Sequence, residues 1–207
     1  MGTENLHHKR KQRKPASFQR GTSKRKPYDT VLIICEGEKT EPCYLNALCQ
    51  ELKISPNITI EGIGCDPLSV VKHAEQLYKK NKHDRVYCIF DRDQHPSFLS
   101  AIDKIEKKRS IPIKAIISVP CFEYWPLLHF KESARPYNNA EEILSELKIY
   151  LPSYHKGCND LFEQTKDKLL EAIKRAKRLC KQRDEHGSDN PSTNMHELIE
   201  YLMNIKK

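Results

Sequence analysis

The sequence predicts an α/β protein built on a parallel four-stranded sheet flanked by helices. Three observations carry this. Short apolar runs rich in β-branched and aromatic residues occur at Val31-Leu32-Ile33-Ile34 and at Val86-Tyr87-Cys88-Ile89-Phe90, as expected of strands buried on both faces. Segments of helical periodicity lie between such runs. Each of the two runs is followed by acids, Cys35-Glu36-Gly37-Glu38-Lys39-Thr40-Glu41 after the first and Asp91-Arg92-Asp93 after the second. The acids thus fall at strand ends, where ligands bind in open α/β sheets.

The elements follow in order. Residues 1–27 read as a disordered basic arm without periodicity. Residues 30–35 form the first strand. Thr40 reads as a helix cap with Pro42 in the first turn, and Tyr44, Leu45, Leu48 and Leu52 share one helical face. Ile58 to Ile63 alternates as the second strand. Asp66-Pro67 opens a second helix with Leu68, Val71, Ala74, Leu77 and Tyr78 inward. Residues 85–90 form the third strand, Ser97 to Lys108 a third helix, and Ile113 to Val119 the fourth strand. This order predicts a Rossmann-like parallel sheet with right-handed crossovers.

Beyond the fourth strand the chain reads as helical. The string around Trp125 suggests a short helix on the sheet edge, interrupted at Pro126. Ala140 to Tyr150 is one helix. Asp160 to Lys181 is a long amphipathic one. Asn190-Pro191-Ser192-Thr193 reads as the start signal of a last helix ending near Met203. The expected organisation is an arm at 1–27, a catalytic core at 28–135 and a helical C-terminal extension packed on it at 136–207.

Charge is unevenly placed. The net charge is +8, and residues 1–26 hold nine Lys or Arg against the single acid Glu4. The rest is balanced, so the basicity belongs to the arm. Lys24, Arg25 and Lys26 there suit nonspecific contact with nucleic-acid phosphates; a solubilising tail is the alternative. Mean hydropathy is −0.73. No apolar run approaches the ~20 residues of a membrane helix, and the N-terminus lacks the pattern of a secretory signal. Eight cysteines occur without any Cys-x-x-Cys, which argues for reduced core thiols and a cytoplasmic location.

The acids carry the chemistry. Glu36 after one strand and Asp91-x-Asp93 after another form a carboxylate cluster that repels itself without a cation. Mg²⁺, with Mn²⁺ as a substitute, takes one or two carboxylates and bridges to phosphate. Lys39 in the same loop suits a phosphate oxygen. Ser118 is a candidate phosphate contact or a turn residue. Glu123 either faces the cluster or caps a helix. His95 is placed for acid–base work or a plain turn, and His129 and Trp125 read as core. No Gly-x-x-x-x-Gly-Lys-Ser/Thr string or Gly-x-Ser-x-Gly elbow is present.

These residues carry a resemblance. Glu-Gly after a first strand and Asp-x-Asp after a later one resembles the Toprim domain of topoisomerases, primases and overcoming-lysogenization-defect nucleases. The longer string Ile33–Pro42, with Phe90-Asp91-Arg92-Asp93 and Pro120–Phe130, resembles the RloB / AbiLii family of restriction-associated and abortive-infection loci. It departs at Val119, where the family usually has Asn, and at Pro126, where it usually has Leu. The resemblance implies a Toprim-like sheet and Mg²⁺-dependent nucleic-acid chemistry. It makes Glu36 the acid–base or metal glutamate, assigns the metal to Asp91 and Asp93, and lets Glu41 complete a second metal position.

The implied function is a nuclease hydrolysing DNA or RNA in prokaryotic phage defence. By the same resemblance it works with an ABC/SMC-type ATPase encoded nearby. The alternative is a noncatalytic nucleic-acid-binding or regulatory subunit. A phosphatase-like site acting on small phosphoesters is a third reading. The apolar stripe of the long C-terminal helix serves either docking and homo-oligomer contacts or intrachain packing.

Overall fold

A computed structural model of the chain describes residues 29–205 except Gln94 and Ser188. The arm expected at 1–27, with Lys24, Arg25 and Lys26, lies outside the described residues. The sheet comprises β1 (Val31–Cys35), β2 (Ile58–Gly62), β3 (Arg85–Asp91), β4 (Ile113–Val119) and β5 (Ser192–Thr193), in the spatial order β2-β1-β3-β4-β5. The first four pair in parallel, and β5 runs antiparallel to β4. The sheet therefore has five strands, where four were expected.

The fifth strand corrects the reading of Asn190-Pro191-Ser192-Thr193 as a helix start. Ser192 and Thr193 pair with Val119 and Ser118. Asn194 prolongs the ladder, its Oδ1 accepting from the Ile117 N–H at 2.6 Å and its Nδ2 donating to the Ala115 carbonyl at 3.2 Å. The last helix, α8 (Met195–Asn204), begins only after this edge is closed.

Five further helices match the periodicity closely: α1 (Thr40–Glu51), α2 (Pro67–Lys80), α3 (Phe98–Lys107), the four-residue α4 (Tyr124–Leu127) and α5 (Ala140–Tyr150). Asp66 caps α2, its carboxylate accepting from the Leu68 and Ser69 amides and from the Ser69 and Ser97 hydroxyls. These bonds, led by the Ser69 hydroxyl, hold its pKa down at about 2. The segment read as one helix from Asp160 to Lys181 is two, α6 (Leu161–Thr165) and α7 (Leu169–His186), joined by a 3₁₀ turn at Lys166–Lys168. The Thr165 hydroxyl bonds back to the Leu161 carbonyl at 2.8 Å, a local competitor of helical continuation.

Alternate residues of each central strand face opposite layers. Leu32, Ile34, Val86, Cys88 and Phe90 pack against Val70, Val71 and Ala74 of α2 and Ala101 of α3. Val31, Ile33, Cys35, Tyr87 and Ile89 belong to a larger core that takes in α1 and the helices from α4 to α8. Ala172, Ile173, Ala176 and Leu179 place the α7 stripe inside that core, so the stripe is spent on intrachain packing. Four basic residues of α7 are likewise engaged within the chain: Lys174 with Glu171, Lys177 with Glu200, Arg178 with Glu132, and Arg175 donating to the Leu128 carbonyl.

Candidate functional site

Strand order 2-1-3-4 puts the topological switch between β1 and β3, because connections leave these neighbours toward opposite edges. Glu36 follows β1 and Asp91 ends β3, so both acids stand at the switch. They are tied together. The Glu36 N–H donates to the Ile89 carbonyl at 2.9 Å, and the Asp91 N–H donates to Glu36 Oε2 at 2.9 Å.

Gly37 in the loop after β1 and Gly62 at the end of β2 are packed too closely for side chains. A Cβ on Gly37 would lie 2.2 Å from Glu41 Oε2, and one on Gly62 would lie 2.4 Å from the Gly37 carbonyl. Glycine at 37 lets the Glu41 carboxylate fold back over the loop, and glycine at 62 lets β2 close on that loop's backbone. Thr40 is the first residue of α1 and not its cap; Lys39 holds the cap position without a side-chain bond. The Thr40 hydroxyl instead accepts from the Gly157 N–H at 2.9 Å, a residue remote in sequence. Glu41 sits within the first turn of α1, closer to the strand end than one full turn.

A cleft of about 430 Å³ opens here, with Glu36, Glu41, Asp91, Glu123, Lys39 and Lys156 on its walls. Glu123 is 3% exposed, carries no side-chain cap bond to α4 and lines the cleft with the other acids. The Tyr154 hydroxyl donates to Glu123 Oε1 at 3.1 Å, and Lys156 Nζ lies 3.6 Å from the same oxygen.

Burial and crowding raise the carboxyl pKa values. Burial is the largest cause for Asp91, followed by Glu41, Glu123 and Glu36, and its pKa stands well above the ordinary carboxylate value. Glu36 is raised by burial against the Asp91 N–H, with Asp93 and Glu41 adding to the rise. Glu41 is raised by burial against its own backbone N–H, with Glu123 adding to the rise. Burial pulls Lys156 down, but Glu123 and Asp91 overcome it, so its ammonium is held more firmly than usual.

Lys156, Tyr154 and Gly157 escaped the reading of the sequence. They lie between α5 and α6, in a segment without periodicity. Their one local signal is density: Tyr154-His155-Lys156-Gly157-Cys158-Asn159 crowds polar groups into a loop. That loop laces onto α1 through the Thr40–Gly157 bond and through Cys43 Sγ donating to Asn159 Oδ1 at 3.1 Å.

The structure does not bring every candidate into the cleft. Asp93 is exposed on the neighbouring cavity, and its Oδ1 accepts from the His95 N–H at 2.9 Å. His95 Nδ1 faces the Ser97 hydroxyl at 3.0 Å, which is turn chemistry. The Ser118 hydroxyl is buried against Thr193 Oγ1 at 2.9 Å, so it serves the β4–β5 edge. His129 is fully buried between the Tyr44 hydroxyl and the Trp125 carbonyl. Burial lowers its pKa to about 4, as suits a neutral core histidine. All eight cysteines are free thiols.

The donor set suits a hard divalent cation. Carboxylate oxygens of Glu36, Asp91 and Glu41 meet in one cleft, and burial first, with mutual repulsion added to it, disfavours their charged forms, a cost that a cation would offset. Among the described residues, no group of three or more His, Cys, Asp or Glu side chains is arranged so as to hold a metal ion. Among the described residues, no helix is long and apolar enough to cross a membrane.

No curated protein matches the chain. A family model described as RloB-like protein matches residues 31–202, from the start of β1 into α8. That span contains every strand and each acid of the cleft. The chain belongs to the RloB-like family.

Proposed function

We propose that this chain is a metal-dependent nuclease that hydrolyses phosphodiester bonds of DNA or RNA. The observation that carries the reading is the meeting of Glu36 and Asp91 at the β1–β3 switch, inside a cleft that also holds Glu41, Glu123 and Lys156. Toprim-like chemistry and a setting in prokaryotic phage defence are supported by the family membership and by the Glu-Gly and Asp-x-Asp motifs. An ABC/SMC-type ATPase partner is part of the same proposal.

Glu36, Asp91 and Glu41 would hold Mg²⁺, or Mn²⁺ in its place. The metal supplies Lewis-acid stabilisation of charge developing on the phosphoryl group. The chain's own residues do the rest. Lys156 presents a point charge to a phosphate oxygen while anchored on Glu123. Lys39 stands at the mouth for an incoming phosphate. Of the acids in the cleft, the one that the cation leaves uncoordinated is placed to take a proton from water and return it to a leaving oxygen. Tyr154 fixes Glu123 by its hydroxyl and so fixes the lysine beside it.

Two deletions of function separate this reading from a noncatalytic binding subunit. Removing residues 1–26 should weaken nucleic-acid binding and reduce its salt dependence. Glu36→Gln and Asp91→Asn should abolish cleavage and leave binding in place. Normal cleavage by both variants contradicts the assignment of the site.

A further inference from the structure

A second cavity, of about 600 Å³, adjoins the acidic cleft and shares Asp91 and Lys156 with it. Its volume is that of a small-molecule site. Its far wall is the segment Tyr137-Asn138-Asn139 leading into α5. That wall is fixed. The Asn190 amide clamps the Tyr137 backbone, accepting from its N–H at 3.2 Å and donating to its carbonyl at 2.7 Å. Next to Asn190, Asp189 takes both terminal nitrogens of Arg92, which follows β3.

The two asparagines are oriented by their partners. Asn139 Oδ1 accepts from the Glu142 N–H at 3.0 Å as the cap of α5, which leaves its NH₂ group facing away from that bond. Asn138 Nδ2 donates to Glu142 Oε1 at 2.6 Å. Glu142 is held ionised by that bond, its pKa lowered first by the Asn138 side chain, so it can only accept. The Asn138 oxygen is thereby left over. Among the described residues, neither the Asn139 NH₂ nor the Asn138 oxygen has a hydrogen-bond partner. Both asparagines are exposed, so a donor on Asn139 and an acceptor on Asn138 are open to a ligand, and these are the groups by which an amide reads a base edge. Asp91 and Asp93 on the opposite wall disfavour a phosphate deep in this cavity. Lys156, on the divide, favours a phosphate at the boundary with the cleft.

We propose that this cavity is a base-reading subsite for the nucleotide beside the scissile phosphodiester, with its base edge on Asn138 and Asn139. This rests on the nuclease reading of the adjoining cleft and extends it to a substrate class. A base lodged in a pocket has left its stack and its partner. The substrate is therefore an unpaired stretch of polynucleotide, or one that the protein unpairs.

Asn139→Asp tests this cleanly. It keeps the oxygen that caps α5 and turns the free donor into an acceptor. Asn139→Ser also keeps a cap and removes the donor without adding charge. Binding is read by fluorescence anisotropy on the full chain in a Glu36→Gln background, so that strands stay intact. The probes are short homopolymers of each base, as DNA and as RNA, single-stranded and as duplexes. Salt is raised to suppress the contribution of the arm. The expected result is tighter binding of single strands, a preference among bases, and a change in that preference of about fivefold or more in both variants, with unchanged thermal midpoints. A base ranking unaltered by either substitution overturns the subsite and leaves the nuclease reading standing, because Asp91-dependent cleavage is scored separately. Equal binding of duplex and single strand also overturns it. Absence of binding to every probe overturns both.

Discussion

The Asp91 N–H donates to the Glu36 carboxylate at 2.9 Å, so the two acids that end β1 and β3 are locked as one unit. The bond fixes Glu36 without consuming its negative charge. It also means that substitutions at Glu36 differ in kind. Glu36→Gln keeps an acceptor for the Asp91 N–H, whereas Glu36→Ala leaves that amide unpaired, at a cost of about 1–3 kcal/mol. Chemical denaturation should show Glu36→Gln within ~1 kcal/mol of the parent chain and Glu36→Ala clearly less stable, with cleavage lost in both. Equal stability of the two variants would remove the structural role of the bond.

The raised carboxyl pKa values fix the sign of the pH dependence. Asp91, Glu36 and Glu41 keep their protons in the folded chain at pH values where the unfolded chain has released them. Between those limits the folded state binds more protons, so stability falls as pH rises. The window opens just above the ordinary carboxylate value of about 4 and closes once the folded values are passed. Other groups contribute to the profile, so the comparison is between chains. In EDTA, the thermal midpoint of the parent should fall more steeply across this window than that of Asp91→Asn, and saturating Mg²⁺ should flatten the parent. Superimposable profiles would show that Asp91 does not keep its proton in the fold above the ordinary carboxylate range.

Lys156 balances the cleft from a distant part of the chain. Lys156→Met should lower the stability of the metal-free chain and raise its affinity for Mg²⁺ several-fold, since a competing positive charge is gone, while cleavage falls by about 10²-fold or more for loss of a phosphate contact. Calorimetric titration with Mg²⁺ reads the first effect independently of activity. A weaker Mg²⁺ affinity in the variant would contradict the counter-charge role.

Gly37 and Gly62 differ in what a methyl group would strike. At Gly37 it meets the Glu41 carboxylate, a side chain able to move; at Gly62 it meets backbone carbonyls and Pro42. Gly37→Ala should therefore impair cleavage more than stability, and Gly62→Ala should destabilise by about 1–3 kcal/mol, as overpacking does. Thermal melts beside an activity assay separate the two.

Much of the fold was legible in the sequence because its determinants are local. The strand Ile113–Val119 and the helix Ala140–Tyr150 have the bounds that the pattern indicates, and Asp66 caps the helix that Asp66-Pro67 announced. What was not legible depends on contacts made across the chain. Ser192-Thr193 has too few residues for periodicity and becomes a strand because β4 offers it an edge. Thr40 has a capping side chain, but Gly157 claims its hydroxyl.

The site divides in the same way. Glu36 and Asp91 stand at strand ends and could be placed from the strand pattern alone, whereas Glu41, inside α1, entered only through the family resemblance. Glu123 was ambiguous until Tyr154 and Lys156 were seen to hold it. Asp93 has the spacing of a ligand, yet the turn after β3 points it to the neighbouring cavity. No spacing rule reaches Lys156, which enters the cleft only because the loop after α5 is laced to α1.

The central claim is that the acids at the switch cut nucleic acid with a divalent cation. The direct measurement incubates the purified chain with plasmid DNA and with total RNA, with Mg²⁺ or Mn²⁺ and with EDTA, alone and with the proposed ATPase partner, beside Asp91→Asn. Cleavage of one polymer that requires both the metal and Asp91 is the result the account expects. Cleavage that persists in Asp91→Asn or in EDTA, or none under any of these conditions, would contradict it.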